Sequence, residues 1–179
     1  MAERLIPEES RSGRILDIGC GTFPLFLAST RFAEKHGLDR VAGPETIARL
    51  KEEGISLTHH DVEASATLPY EDKHFDVVTM LAVFEHIEPR ALTLLTAEIH
   101  RILKPGGVYI LTTPNAGTES ILSVLSFLGL VSSEEVGEHK DSYSRESVRA
   151  RLREGGFAAD AIQTGLFEFG LNIWARARK

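Results

Sequence analysis

Cysteine is nearly absent from this chain: Cys20 is the only one in 179 residues. An intrachain disulfide framework and a cysteine zinc site are thereby excluded. Long hydrophobic runs are missing too. The most apolar stretch, "ILSVLSFLGLV" from Ile121 to Val131, is too short to span a bilayer. The opening "MAERLIPEES" carries no apolar signal core, so a cytoplasmic protein is expected. Positive charge is in deficit, with 20 Lys and Arg against 26 Asp and Glu and a net charge of −6. That deficit argues against nucleic acid or an anionic membrane as a partner held by bulk electrostatics. Repeats, low-complexity tracts and Pro/Gly/Ser linkers are also lacking. What is present is a hydrophobic fraction of 42%, enough for a core, on a length that suits one domain.

Short apolar runs alternate with helical patterns along the chain. "RILDIG" reads as a first strand, and Pro24 to Phe32 as a short helix with Pro24 in its first turn. "EKHGLD" is a second strand ending in an acid. "PETIARLKEEG" has proline near its start and glycine at its end, a helix signature. "ISLTHHD" is a third strand and Phe75 to Leu81 a buried fourth. Pro89 opens a long helix whose apolar face is Leu92, Leu95, Ile99 and Ile102, stopped by "KPGG". "VYILTTPN" is a fifth strand. "SRESVRARLREGG" is a helix with Ser144 as N-cap and Glu146 placed for the helix dipole. "FAADAIQT" and "LNIWARA" supply two last strands. This alternation predicts an α/β three-layer sandwich around a doubly wound, mostly parallel sheet. Ligands in such folds sit beyond the carboxyl ends of the strands, where strand order switches.

The first strand runs into Gly19-Cys20-Gly21. Glycines there allow a tight turn and a close approach of backbone N–H groups to a ligand. Asp39 ends the second strand, 20 residues after Gly19, where an acid can accept hydrogen bonds from two ribose hydroxyls. A dinucleotide loop would need a third glycine at position 24. Pro24 stands there and removes a donor from the helix end that should face a pyrophosphate. A nicotinamide oxidoreductase is therefore disfavoured.

Six segments in order, "LDIGCG", "GLD", "HHDVE", "LPYEDKHFDVV", "FEHI" and "ILKPGG", resemble the class I S-adenosylmethionine-dependent methyltransferases. The resemblance runs from about Arg14 to Asn115. "LKPGG" after a long helix, preceded by "FDVV", is its most specific part. "EHI", "TTPN" and "YSRESVRARLREGGF" look closest to the small-molecule branch that includes the quinone-biosynthesis O-methyltransferases. The resemblance implies a seven-stranded sheet with the last strand antiparallel and S-adenosylmethionine as cofactor. It assigns Asp17, Gly19, Cys20 and Gly21 to the motif around the methionine end, and Asp39 to the ribose. Asp61 falls beside the adenine amino group, with Val62 against the ring. Leu81 and Ala82 line the cofactor's other side. Asp76 is read as structural. The departure is Phe23, where the family has its third glycine. Either the ring turns away and packs under the loop, with Pro24 starting the helix, or it fills part of the methionine pocket. The first arrangement is expected, and the second would leave a non-catalytic, regulatory binding domain with a degenerate loop.

The resemblance also implies the chemistry. The sulfonium methyl is already activated, so the protein mainly aligns nucleophile, methyl and sulfur. His86, after the fourth strand, is the first candidate base for a hydroxyl acceptor. His139, in "GEHKDSYS", is the second, with Tyr143 nearby for the acceptor. The branch resembled has Glu-x-x-Glu-His, which can hold a divalent metal. Here Ala82 replaces the first carboxylate, and Glu85 with His86 makes a poor site, so no metal is expected. His59 and His60 are strand neighbours that point to opposite faces and are read as structural. Arg145, Arg149 and Arg153 recur on one helix face, read as solvated. One domain over 1–179 is expected: a cofactor core over 12–114, an apolar lid or acceptor wall over 115–143, and a last helix and two strands over 144–179. The short segment before the first strand implies an open site, one closed by 115–143, or one completed by a partner. The partner expected is a small, apolar or aromatic methyl acceptor, and oligomeric state is left open.

Overall fold

The computed structural model describes residues 1–116 and 143–179. The predicted lid lies outside the described residues, apart from Asn115, Ala116 and Tyr143. Seven strands form one sheet: β1 (Arg14–Ile18), β2 (Glu34–Asp39), β3 (Ile55–His59), β4 (Phe75–Leu81), β5 (Leu103–Pro114), β6 (Ile162–Phe167) and β7 (Asn172–Arg178). Their spatial order is β3-β2-β1-β4-β5-β7-β6. The pairs β1–β2, β2–β3, β1–β4 and β4–β5 are parallel, and β7 runs antiparallel to both β5 and β6. Strand order reverses between β1 and β4, which places the switch point beside the glycine loop.

Alternating side chains give the sheet two buried faces. On one, Leu16, Val78, Met80 and Leu111 pack with Leu95 and Ile99 of α3 (Pro89–Ile102) and Leu152 of α4 (Arg145–Glu154). On the other, Ile15, Val77, Val108 and Ile110 meet Leu27 of α1 (Leu25–Ser29) and Leu50 of α2 (Pro44–Glu52). Ala2 and Ile6, in and after a 3-10 turn, join that second core. The result is the three-layer α/β sandwich the alternation predicts. Among the described residues, no helix is long and apolar enough to cross a membrane.

Several elements differ from the reading of the sequence. The first helix is shorter, Leu25–Ser29, because Pro24 is its non-helical cap and Thr30 is already extended. The Thr30 hydroxyl accepts from Arg11 Nη1 and donates to Glu3 Oε2, which fixes that exit. The sixth strand starts later, at Ile162, because Ala159–Ala161 is a 3-10 turn. Arg149 is not simply solvated: its guanidinium donates to the carbonyls of Ile162 and Ala159. Ser144 caps α4 as predicted, accepting from Ser147 N at 3.1 Å while Ser147 Oγ accepts from Ser144 N at 2.8 Å. Asp76 is structural, as read. Its Oδ2 accepts from Arg14 N at 2.8 Å and from Lys104 Nζ at 2.6 Å, tying the starts of β1, β4 and β5 together.

Candidate active site

Asp17 sits near the end of β1 and is only 5% exposed. Its Oδ1 accepts from Thr79 Oγ1 at 2.6 Å across the β1–β4 pair. Burial pushes its carboxyl up to about 7, and the Thr79 bond opposes that rise. Thr79 is a residue the sequence reading passed over. A hydroxyl inside the apolar run "VVTML" was the available signal. Burial, with Asp17 and Asp39 nearby, pushes the Cys20 thiol up to about 12, so it is a neutral group rather than a nucleophile.

Gly19 and Gly21 have φ of +74° and +69°, the left-handed region that glycine adopts without strain. The two differ in surroundings. A Cβ on Gly19 would stand 2.4 Å from Val83 Cγ2, so the chain leaving β4 packs against the loop. A Cβ on Gly21 would meet nothing within 4 Å, so that side of the loop borders open space. Asp39, at the end of β2, braces the loop: Oδ2 accepts from Gly21 N at 2.7 Å and Oδ1 from Val41 N at 2.9 Å. Asp61 follows β3. Its Oδ1 accepts from Glu63 N and Ala64 N, and these bonds hold its carboxyl below the usual range. Val62 packs beside it at the edge of the core.

Leu81 ends β4, paired with Thr112 of β5. Ala82 follows at φ +55°, and its N–H lies 3.1 Å from both the carbonyl and the hydroxyl of Thr112. A non-glycine residue in that conformation is strained, as backbone at functional sites often is. His86 closes a one-turn 3-10 helix, Phe84–His86, and is half-buried. That turn follows Val83, the residue against Gly19, and His86 N donates to Val83 O at 3.0 Å. Glu85 and Phe84 are buried under it, and the Phe84 ring meets Tyr143 edge-on at 4.9 Å. Tyr143 is itself 4% exposed, which makes it part of the supporting core. His59 is exposed, and His60 bonds through Nε2 to Ser65 O. His139 lies outside the described residues. Among the described residues, no group of three or more His, Cys, Asp or Glu gathers as metal ligands would.

Phe23 does not pack under the loop as expected. Its side chain is 74% exposed, with the Arg49 guanidinium 5.0 Å from the ring centre. Arg49 Nη2 donates to Thr22 O at 2.6 Å. Arg49 was also missed in the sequence, where nothing marks a helix arginine as the partner of a loop 27 residues away.

The loop, the ends of β2 and β3 and the exit of β4 thus share one rim of the sheet at its switch point. Open space beside Gly21 and acids at the ends of β2 and β3 suit a nucleoside carried on a short polar chain. A family model described as a methyltransferase domain matches residues 2–162. The chain is 34% identical over 112 residues to a ubiquinone biosynthesis O-methyltransferase of Pseudomonas aeruginosa, covering 61% of this chain and 47% of that one. The corresponding enzyme of Pseudomonas fluorescens is 33% identical over the same length and the same shares. The chain therefore spans about half the length of these curated relatives. Among solved structures, an S-adenosylmethionine-dependent methyltransferase from Mesorhizobium loti superposes with a TM-score of 0.70 at 20% identity, covering 99% of this chain and 96% of that one. A putative methyltransferase solved with the Trm112 activator of Haloferax volcanii gives 0.73 at 17%, covering 99% and 86%. By the match of its sequence and the topology of its sheet, the chain belongs to the methyltransferase-domain family, of the class I fold whose cofactor is S-adenosylmethionine.

Proposed function

We propose that this chain is an S-adenosylmethionine-dependent methyltransferase domain acting on a hydroxyl group of a small apolar or aromatic molecule. The observation that carries the reading is the gathering of Gly19–Gly21, Asp39, Asp61 and Leu81–Ala82 at four neighbouring strand ends around the switch point. The similarity to ubiquinone biosynthesis O-methyltransferases supports a hydroxyl acceptor on an apolar body.

S-adenosylmethionine supplies, when bound, an electrophilic methyl on a sulfonium. The residues of this chain bind and orient. Asp39 takes the ribose hydroxyls: each of its oxygens already accepts one amide and keeps a lone pair for a further donor. Asp61, kept ionised by the Glu63 and Ala64 amides, accepts from the adenine amino group, with Val62 against the ring. Asp17 and Thr79 brace the floor of the loop, and Gly21 leaves room for the methionine end. Alignment carries most of the rate, and a base that takes the acceptor's hydroxyl proton adds about 10²–10⁴-fold. His86 is that base, receiving the proton on a ring nitrogen, with His139 the second candidate. The segment 115–143 is assigned to the acceptor wall on its apolar sequence.

Calorimetric titration tests the reading. Micromolar binding of S-adenosylmethionine and S-adenosylhomocysteine is expected, with none for NAD. Asp39→Ala and Asp61→Ala weaken that binding, whereas His86→Ala leaves it intact and removes turnover of a phenolic acceptor. Unchanged affinity in both acid variants would overturn the site assignment. Binding without methyl transfer to any acceptor would leave a regulatory domain.

A further inference from the structure

Phe23 is a large apolar side chain left in solvent two residues beyond Gly21. Such a ring gains by leaving water, and the open space beside Gly21 lies only two residues back along the same loop. Contacts from α2 hold it in its exposed position. Arg49 stacks its guanidinium on the ring and, through Nη2, takes the carbonyl of Thr22, the residue before it. The fork is fixed in turn by Glu53, whose Oε1 accepts from Arg49 Nη1 at 3.0 Å one helical turn on. Asp39 grips the same loop through Gly21 N. The loop is thus held between an anion at the end of β2 and a cation on α2, each reaching it by a short hydrogen bond.

We propose that Arg49 is a positioning residue for the cofactor loop, fixing Thr22 and Phe23 so that the ring stays out of the space beside Gly21. The proposal rests on the reading of this loop as the cofactor site. Arg49 acts through the backbone of Thr22 and the face of Phe23. A planar fork that both stacks and hydrogen-bonds suits this task, and a lysine does not reproduce it.

The test is a cycle of Arg49→Met and Phe23→Gly, read by calorimetric titration with S-adenosylhomocysteine and by the Phe23 ring resonances in ligand-free protein. Arg49→Met is expected to weaken binding about tenfold. In the Phe23→Gly background the same change costs little, because no ring is left to misplace. Arg49→Lys recovers only part of the affinity. The Phe23 resonances shift in Arg49→Met without ligand. An unchanged affinity in Arg49→Met, or an equal penalty in both backgrounds, overturns the proposal. If the unmodified protein does not bind the nucleoside, the site reading fails instead. The grip is then judged on the ligand-free resonances, and an unmoved Phe23 signal overturns it.

Discussion

Ala82 is one of four described non-glycine residues with positive φ, and it directly follows β4 at the rim of the site. It is exposed, holds φ at +55° and still carries a methyl group. The left-handed region costs an L-residue roughly 1–2 kcal/mol. Glycine removes that strain but adds freedom to the unfolded chain. Ala82→Gly is therefore expected to stabilise the protein by about 0.5–1 kcal/mol, read as a higher urea midpoint at unchanged m. A loss of stability would mean that the methyl packs against something. Gly21 and Asp39 stand out in the sequence because a strand, a glycine pair and an acid at fixed offset form a local pattern, and Asp17 stands out through the family resemblance. Their partners do not. Asp17 meets Thr79 and Arg49 meets Thr22 only because β4 and α2 pack beside the loop, and no local pattern encodes such a pairing.

At the scale of elements, boundaries follow from caps and pairing. Strand β2 spans Glu34–Asp39 and α2 starts at Pro44, matching the sequence reading, and the proline at the first helical position is a local signal. Strand β6 was read too early. Its residues pair only with β7, so its start is set by a partner that comes later in the chain. Helix α4 is held at its start by the reciprocal Ser144–Ser147 bonds. Ser144→Ala is expected to cost about 1 kcal/mol, seen as a lower melting temperature with the cofactor affinity unchanged. Ser147→Ala should cost less, since it leaves the Ser144 acceptor free to cap by other means. Equal stability of Ser144→Ala and the parent would show that the cap is carried by packing of Val148 and Leu152 instead.

For the whole molecule, the buried Asp17 makes stability depend on pH. Its folded pKa, about 7, lies above the ordinary value near 3.8, so its neutral form suits the fold. That contribution is fully present below pH 4 and is lost as pH rises through 7. Glu98 works the other way: Arg101 holds its carboxyl below the usual range, so its contribution is present above about pH 4.5 and lost as pH falls. His36 is lowered by burial and also loses its contribution on acidification, below about pH 6.5. The Asp17 share is isolated by comparison with Asp17→Asn. The two proteins should be close in stability at pH 4, and the variant should gain on the parent as pH rises to 8, by up to about 4 kcal/mol. Urea titrations at four pH values measure this. A difference that stays flat with pH would show that Asp17 titrates normally.

The order of strands and helices, the two-faced burial of the sheet and the family of the chain were determined by the sequence itself. Periodicity, caps and the "LDIGCG", "FDVV" and "LKPGG" segments are local, and each constrains its own stretch of backbone. The tertiary structure decided what the loop is held by. On sequence grounds Phe23 could have packed under the loop or filled the methionine pocket, and instead it is exposed against Arg49. Arg149 could have been a solvated charge, and it ties down the approach to β6. In both cases the deciding interaction joins residues that only packing brings together. The bonding capacity of an arginine is written in its side chain, but the choice of partner is made by the fold.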